Sequence, residues 1–251
     1  MLNLKDIVVS FQSSQILNGI SCSIREGETV GVIGPNGSGK TTLFNCISGF
    51  ALCDAGSIEL RGQPIHHLAP HQRARLGLGR VFQNFGIFRE MTLLENMQLA
   101  LESRKDKPTG LFPWSARTKE LQDEAMKYLR EIHLEEKAQH KAGALSGGQM
   151  RLLEIVRTLA VGSDLFLLDE PTAGVSPKMK EDIAESIKRL QTLGKTVLII
   201  EHDITFIQKF CDRIVVLEEG RIVLDGTPEQ VRSDSRLQEI YFGRDAQSRS
   251  I

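Results

Sequence analysis

Apolar and polar positions alternate in strand-sized pieces through the first part of the chain. "LNLKDIVVSF", "QILNGISCSIREGE" and "GSIELRGQPI" are separated by polar and glycine turns, which predicts a small antiparallel β layer. "TVGVIGPNGSGKTTLFNCISGF" breaks the pattern: an apolar strand from Val30 to Ile33 runs into a glycine loop, then a helix from about Lys40 that stops near Gly49. From about Arg89 to Ala160 the period lengthens to that of a helix, in "REMTLLENMQLALES" and "ARTKELQDEAMKYLREIHL". The intervening "RKDKPTGLFPWS" reads as a charged loop, with Trp114 packed locally rather than marking a contact surface. "LFLLDE" and "TVLIIEH" are unbroken apolar runs, expected of strands covered on both faces. Between them, Ser176 caps and Pro177 opens a helix that ends near Gly194. "RIVVLEEGRIVLDG" predicts a hairpin turning at Glu219-Gly220, and "TPEQVRSDSRLQEIYFG" a short helical tail before a frayed "RDAQSRSI".

Strands alternating with helices predict an α/β fold with a mainly parallel sheet. Residues 1–88 are expected to form the first part of the core, 89–160 a helical subdomain, and 161–251 the second part of the core with its helical tail. Composition alters this picture little. The chain has 251 residues and a net charge of −1, so no global field draws it to nucleic acid or an anionic membrane. The four cysteines, Cys22, Cys46, Cys53 and Cys211, show no C-x-x-C spacing and read as buried thiols of a reducing compartment. No secretion signal and no bilayer-length apolar run is present, so any work at a membrane falls to another chain.

The chemistry concentrates in a few stretches. Gly34, Pro35, Asn36, Gly37, Ser38, Gly39, Lys40 and Thr41 fit G-x-x-x-x-G-K-[ST], with Thr42 next. Glycines let the backbone wrap phosphate oxygens, Lys40 reaches the β- and γ-phosphates, and the Thr41 hydroxyl suits Mg²⁺. Asp169, ending a buried strand, is placed to reach that metal, and Glu170 to polarise a water for attack on the γ-phosphate. Two acids merely ending a strand would be the plainer reading without the phosphate loop. His202 ends the second buried strand, where side chains face a ligand crevice. Gln83, after another short strand, carries an amide suited to Mg²⁺ and to orienting water, and Phe85 and Phe88 flank it as packing or partner-binding aromatics. His66, His67, His71, His133 and His140 lie in polar segments and receive no role. Finally "ALSGGQMR" places Ser146, Gly147, Gly148 and Gln149 at a helix start, a second anion-facing terminus or an ordinary cap.

Together, in this order, these residues resemble the nucleotide-binding subunit of ABC transporters, from about Leu2 to Gly243. The resemblance implies a P-loop NTPase (RecA-like) core with an antiparallel β layer and a helical subdomain. It makes Gly34–Thr41 the phosphate loop and Gln83 the glutamine loop. Leu145, Ser146, Gly147, Gly148 and Gln149 become the signature, Asp169 the metal aspartate, Glu170 the catalytic glutamate, His202 the switch histidine, and Phe11 the adenine-stacking aromatic. It implies ATP and Mg²⁺ as cofactors and a head-to-tail dimer, with an identical or paralogous subunit, in which each signature caps the other chain's nucleotide. That accounts for two anion-facing helix starts in one chain. "FNCISGF", "FQNFGIFREMTLLENM", "GLFPW" and "DGTPEQV" look like the branched-chain amino acid uptake subfamily and the related urea and amide importers. "AGVSP" departs from the family's usual loop, with Ser176 where Asp is common. The function implied is an ATPase at the cytoplasmic face of the membrane. It would power import of a small polar solute through separate permeases, indirectly serving a solute-binding protein. An exporter of lipid or lipopolysaccharide type, a soluble ABC-type switch and a non-hydrolytic binding module are the alternatives. About sixty residues between Gln83 and the signature, without sustained heptads, argue against the DNA-linked switches. Intact Lys40, Asp169, Glu170 and His202 argue against a binding module.

Overall fold

The computed structural model describes residues 1–12, 14–82, 86–104 and 114–242, and the side chains within these except 114–118, 238, 241 and 242. Two sheets organise it. The first contains β1 (Leu2–Phe11), β2 (Ser14–Ile24), β4 (Ala55–Leu60) and β5 (Gln63–Pro64), in the order β2-β1-β4-β5, all antiparallel. The second contains β3 (Thr29–Ile33), β6 (Leu78–Val81), β7 (Leu165–Asp169), β8 (Thr196–Ile200), β9 (Arg213–Glu218) and β10 (Arg221–Gly226). Its order is β10-β9-β3-β8-β7-β6, parallel except for the β9–β10 hairpin.

The unbroken apolar runs are explained by two cores, one on each face of the large sheet. Val30, Val32, Leu165, Leu167, Leu198 and Ile200 point to one side, where α1 (Lys40–Ser48) and the antiparallel layer pack. Ile33, Phe166, Leu168, Val197 and Ile199 point to the other, under most of the remaining helices. Strand side chains alternate between faces, so a strand covered twice must be apolar at every position. On the second face lie α3 (Leu93–Glu102), α4 (Trp114–Glu131), α5 (Gly147–Ala160) and α6 (Pro177–Thr192). The Thr92 hydroxyl caps α3, accepting from the Glu95 N–H at 3.1 Å while the Glu95 carboxylate takes the Thr92 N–H, a reciprocal cap.

Several elements differ from the sequence reading. Trp114 begins α4 rather than sitting in a loop; residues 105–113 and the tail "RDAQSRSI" lie outside the described residues. The tail is two helices, α8 (Pro228–Ser233) and α9 (Ser235–Phe242), broken where Asp234 turns extended. Two short helices had no predicted counterpart, α2 (Pro70–Arg75) and α7 (Ile204–Phe210). In α7 the signal was present: Asp203 accepts from the Phe206 N–H at 3.1 Å, and Phe206, Ile207 and Phe210 form one buried stripe. Of the cysteines, Cys46 and Cys211 are buried, but Cys22 and Cys53 are only partly so.

Phe166, wholly buried in β7, tests the arrangement. Phe166→Ala removes an aromatic ring from the centre of the sheet, and we expect a loss of about 3–5 kcal/mol in urea unfolding.

Candidate active site

The parallel strands end along one edge, and three of them deliver the residues singled out above. β3 runs into the loop 34–39, β7 ends in Asp169 and Glu170, and β8 is followed by Glu201 and His202. The loop is wound by glycines: Gly34, Gly37 and Gly39 have φ of 151°, 82° and 102°. A Cβ on Gly34 would collide with the Leu217 carbonyl oxygen, so close approach to β9 requires glycine there.

Lys40 is the first residue of α1 and is only 6 % exposed. Its ammonium donates to the carbonyl oxygens of Gly34 at 2.8 Å and Pro35 at 2.9 Å. Burial pulls its pKa below the usual lysine value, against the through-space support of Glu170 and Asp169. The Ser38 hydroxyl is buried without a hydrogen-bond partner among the described residues. A buried cation, an unsatisfied hydroxyl and a helix N-terminus therefore converge on one cradle, a donor set that fits the oxygens of a polyphosphate. The Thr41 hydroxyl, at the exposed start of α1, and the Asp169 carboxylate offer the hard oxygen donors that suit Mg²⁺.

Asp169 is buried and tied down. Its Oδ2 accepts from Arg80 Nη2 at 3.0 Å, and Arg80 also donates to Asn45 Oδ1 at 2.7 Å and Ser48 Oγ at 2.8 Å on α1. Glu170 has a left-handed backbone, φ 47°, uncommon outside glycine and a strain of about 1 kcal/mol. Its N–H reaches the Ile200 carbonyl at 2.9 Å, and its Oε1 lies 2.8 Å from His202 Nε2. Glu170 and His202, separated in sequence, thus share one hydrogen bond. Buried Glu201 steadies the turn that follows, accepting from both the N–H and the hydroxyl of Thr172 at 2.7 Å.

Ser146 caps α5: its Oγ accepts from the Gln149 N–H at 3.3 Å, and Gln149 Oε1 accepts from the Ser146 N–H at 3.2 Å. Ser146 and Gly147 are exposed. Gly148 is buried under Met179, whose Cγ a Cβ would strike, so one glycine of the pair answers to packing within the chain. Met179 belongs to α6, whose start is capped by the Ser176 hydroxyl accepting from the Met179 N–H at 3.3 Å. Serine at 176 thereby keeps the capping capacity of the aspartate common there. Phe11, at the end of β1, is 70 % exposed. Gln83 and Phe85 lie outside the described residues.

Sequence reasoning missed the residues that grip either side of Gln83. Buried Glu154 on α5 accepts from the N–H groups of Phe82 at 3.2 Å and Gly86 at 3.0 Å. Arg151 Nη1 donates to the Phe82 carbonyl, and lies 3.2 Å from Glu154 Oε2; Arg157 Nη1 donates to the Gly86 carbonyl at 2.6 Å. Burial raises the Glu154 pKa, opposed by those N–H groups and by Arg151. The only signal was three charges at positions 151, 154 and 157 inside an otherwise apolar helix.

A phosphate loop on a parallel sheet, with a carboxylate pair and a histidine at the same edge, defines a P-loop nucleotide-binding protein. The family model described as "ABC transporter" matches residues 17–173, and the chain belongs to that family. It is an ATP-binding subunit similar along its length to branched-chain amino acid transport ATP-binding proteins. BraF of Pseudomonas aeruginosa is 38 % identical over 97 % of this chain and 98 % of its own length. LivG of Escherichia coli is 36 % identical over the same shares. The lipopolysaccharide export protein LptB of Haemophilus influenzae is also 36 % identical, over 97 % of both chains. Among solved structures, the ADP conformation of the ABC cassette MJ1267 superposes with a TM-score of 0.83 at 34 % identity, covering 97 % of this chain and 99 % of that one. The dimeric post-hydrolysis state of the cassette MJ0796, bound to ADP and Pi, gives 0.78 at 30 %, covering 91 % and 99 %.

The Met179 contact yields a test. Gly148→Ala alone should lower unfolding stability by about 1–3 kcal/mol, and the double variant with Met179→Ala should recover most of it. Thermal melts of the four combinations measure the coupling.

Proposed function

We propose that this chain hydrolyses ATP, with Mg²⁺, to power import of branched-chain amino acids or a similar small polar solute through separate membrane permeases. One observation carries the reading: a buried Lys40 ammonium and a Ser38 hydroxyl with no partner among the described residues share a cradle beside the bonded pair Glu170 and His202. In this reading Lys40 exchanges its two carbonyl partners for β- and γ-phosphate oxygens, and the loop N–H groups with Ser38 and Thr42 complete the grip. Thr41, Asp169 and Gln83 would hold Mg²⁺, which would supply positive charge to offset that of the phosphate oxygens. Glu170 accepts the proton of the attacking water, its carboxylate oriented by His202, which also contacts the γ-phosphate. Phe11 offers an exposed ring to adenine.

Ser146, Gly147, Gly148 and Gln149 close the site of a second subunit, identical or paralogous, in a head-to-tail pair. The dimeric cassettes of MJ0796 support pairing. Binding two nucleotides between two chains favours closure, and loss of the γ-phosphate releases it. Residues 89–160 form the helical subdomain between the two core parts, 1–88 and 161–251. The exposed Phe88 and the partly buried Met91 suit the permease contact. No described helix is long and apolar enough to cross a membrane, in keeping with a peripheral subunit on the cytoplasmic face whose spanning partner is another chain. The names of BraF and LivG support the amino acid reading, and that of LptB favours an exporter as the second.

Glu170→Gln should bind ATP as the parent does, while phosphate release falls by about a hundredfold to ten-thousandfold. Parent activity per subunit should rise with protein concentration as pairs form. Unchanged turnover in the variant, or full activity in dilute monomer, overturns the assignment. Reconstitution with candidate permeases, and uptake of labelled leucine, tests the solute.

A further inference from the structure

Arg80 makes more bonds than a salt bridge requires. It stands near the end of β6, with its side chain only 7 % exposed and that of its partner Asp169 5 %. Nη2 donates to Asp169 Oδ2 at 3.0 Å, at the end of β7. Nη1 turns to α1 instead, donating to Asn45 Oδ1 at 2.7 Å and to Ser48 Oγ at 2.8 Å. The cation lies over two rings, 4.9 Å from the centre of Phe82 and 5.8 Å from that of Phe50, and the rings meet edge to face at 5.3 Å. Nε is buried with no hydrogen-bond partner among the described residues.

As a way of neutralising one buried acid, this arrangement is poor. Withdrawing a guanidinium from water is costly, an unpaired N–H adds to the cost, and a well-packed apolar pair can be as stable. Any cation reaching Oδ2 would also serve. What the planar fork of arginine adds is two donors at a fixed separation, one for each of two elements. Here they join the last turn of α1 to the end of β7. α1 is a short rod from Lys40 to Ser48, so Thr41 and Ser48 lie about 10 Å apart along it and move together. The guanidinium therefore governs where Asp169 stands relative to Thr41.

Resting on the ATP and Mg²⁺ reading given above, we propose that Arg80 is a positioning residue of the metal site, fixing the Asp169 carboxylate at the separation from the Thr41 hydroxyl that a hydrated Mg²⁺ ion needs. With Oδ2 taken by Arg80, Oδ1 is the oxygen left for the ion's shell. Mg²⁺ demands near-octahedral geometry and tolerates little drift between its donors. Arg80 also brings a positive charge, which by itself opposes a second cation. If charge alone mattered, losing the guanidinium would strengthen Mg²⁺ binding. Arg80→Lys separates the two effects, because it keeps the charge and loses the fork.

Binding of the fluorescent nucleotide mant-ADP to the full chain is titrated in EDTA and then over a series of free Mg²⁺ concentrations. In the parent, Mg²⁺ should tighten binding with a defined midpoint. Arg80→Lys should raise that midpoint by about tenfold to a hundredfold. Its affinity in EDTA, which reports Lys40 and the phosphate loop, should stay that of the parent. Asn45→Ala combined with Ser48→Ala leaves Arg80 on Asp169 but detaches it from α1, and should move the midpoint in the same direction. An unmoved or lowered midpoint in either variant overturns the proposal. So does a loss of affinity in EDTA as large as that in Mg²⁺, since Arg80 would then only support the loop. A parent whose affinity ignores Mg²⁺ overturns the metal reading itself, and the role of Arg80 with it.

Discussion

A positive charge buried among its own loop's carbonyl oxygens is the interaction on which this structure turns. An ammonium withdrawn from water is costly unless oxygens surround it, and Lys40 finds two of them in Gly34 and Pro35. Two carbonyl dipoles take protons of the ammonium without neutralising its charge. The geometry around it follows from that demand. Glycines permit the winding, β9 packs against Gly34 so closely that no side chain fits, and α1 adds its positive end. The acids stand off at the end of β7, with β8 between it and β3, near enough to support the cation through space.

The second feature of the site is restraint. Asp169 and Glu170 are adjacent, yet they are held by different means. Asp169 is drawn back by Arg80, which also holds α1, so the strand end and the phosphate-loop helix share one guanidinium. Glu170 is aimed instead by a left-handed backbone and by His202. Glu201 fixes the turn that follows through Thr172. Two neighbouring carboxylates thus reach the edge of the sheet with separate environments, the usual precondition for separate chemical duties.

How much of this was legible in the sequence depended on the range of the interactions. The phosphate loop is local: its glycines, lysine and threonine do their work within eight residues, so spacing alone identifies it. The doubly covered strands were legible because two cores demand apolar side chains on both faces. The folding of Glu170 against His202, the grip of Arg80 on Asp169 and the clamp of Glu154 on Phe82 join residues 32, 89 and 72 positions apart. No local period records such partners. The short helix α2 was missed because one or two turns hardly display a period, α7 although its Asp203 cap and apolar stripe were there to be read, and the tail break at Asp234 because one extended residue does not disturb the surrounding pattern. Gly148 carried a double meaning that composition could not separate: glycine beside a helix start suits an anion, yet here it also makes room for Met179.

The grip of α5 on Phe82 and Gly86 has a mechanical corollary. Four peptide steps separate those two anchors, a tether of at most about 14 Å. Each end is fastened through a buried ionic knot to the same rod, one that starts at Ser146. A tilt of that rod must therefore carry both ends of the tether with it. Phe88, two residues beyond the second anchor, is itself held by Asn96 of α3, so a displacement there is shared between α3 and α5 through hydrogen bonds.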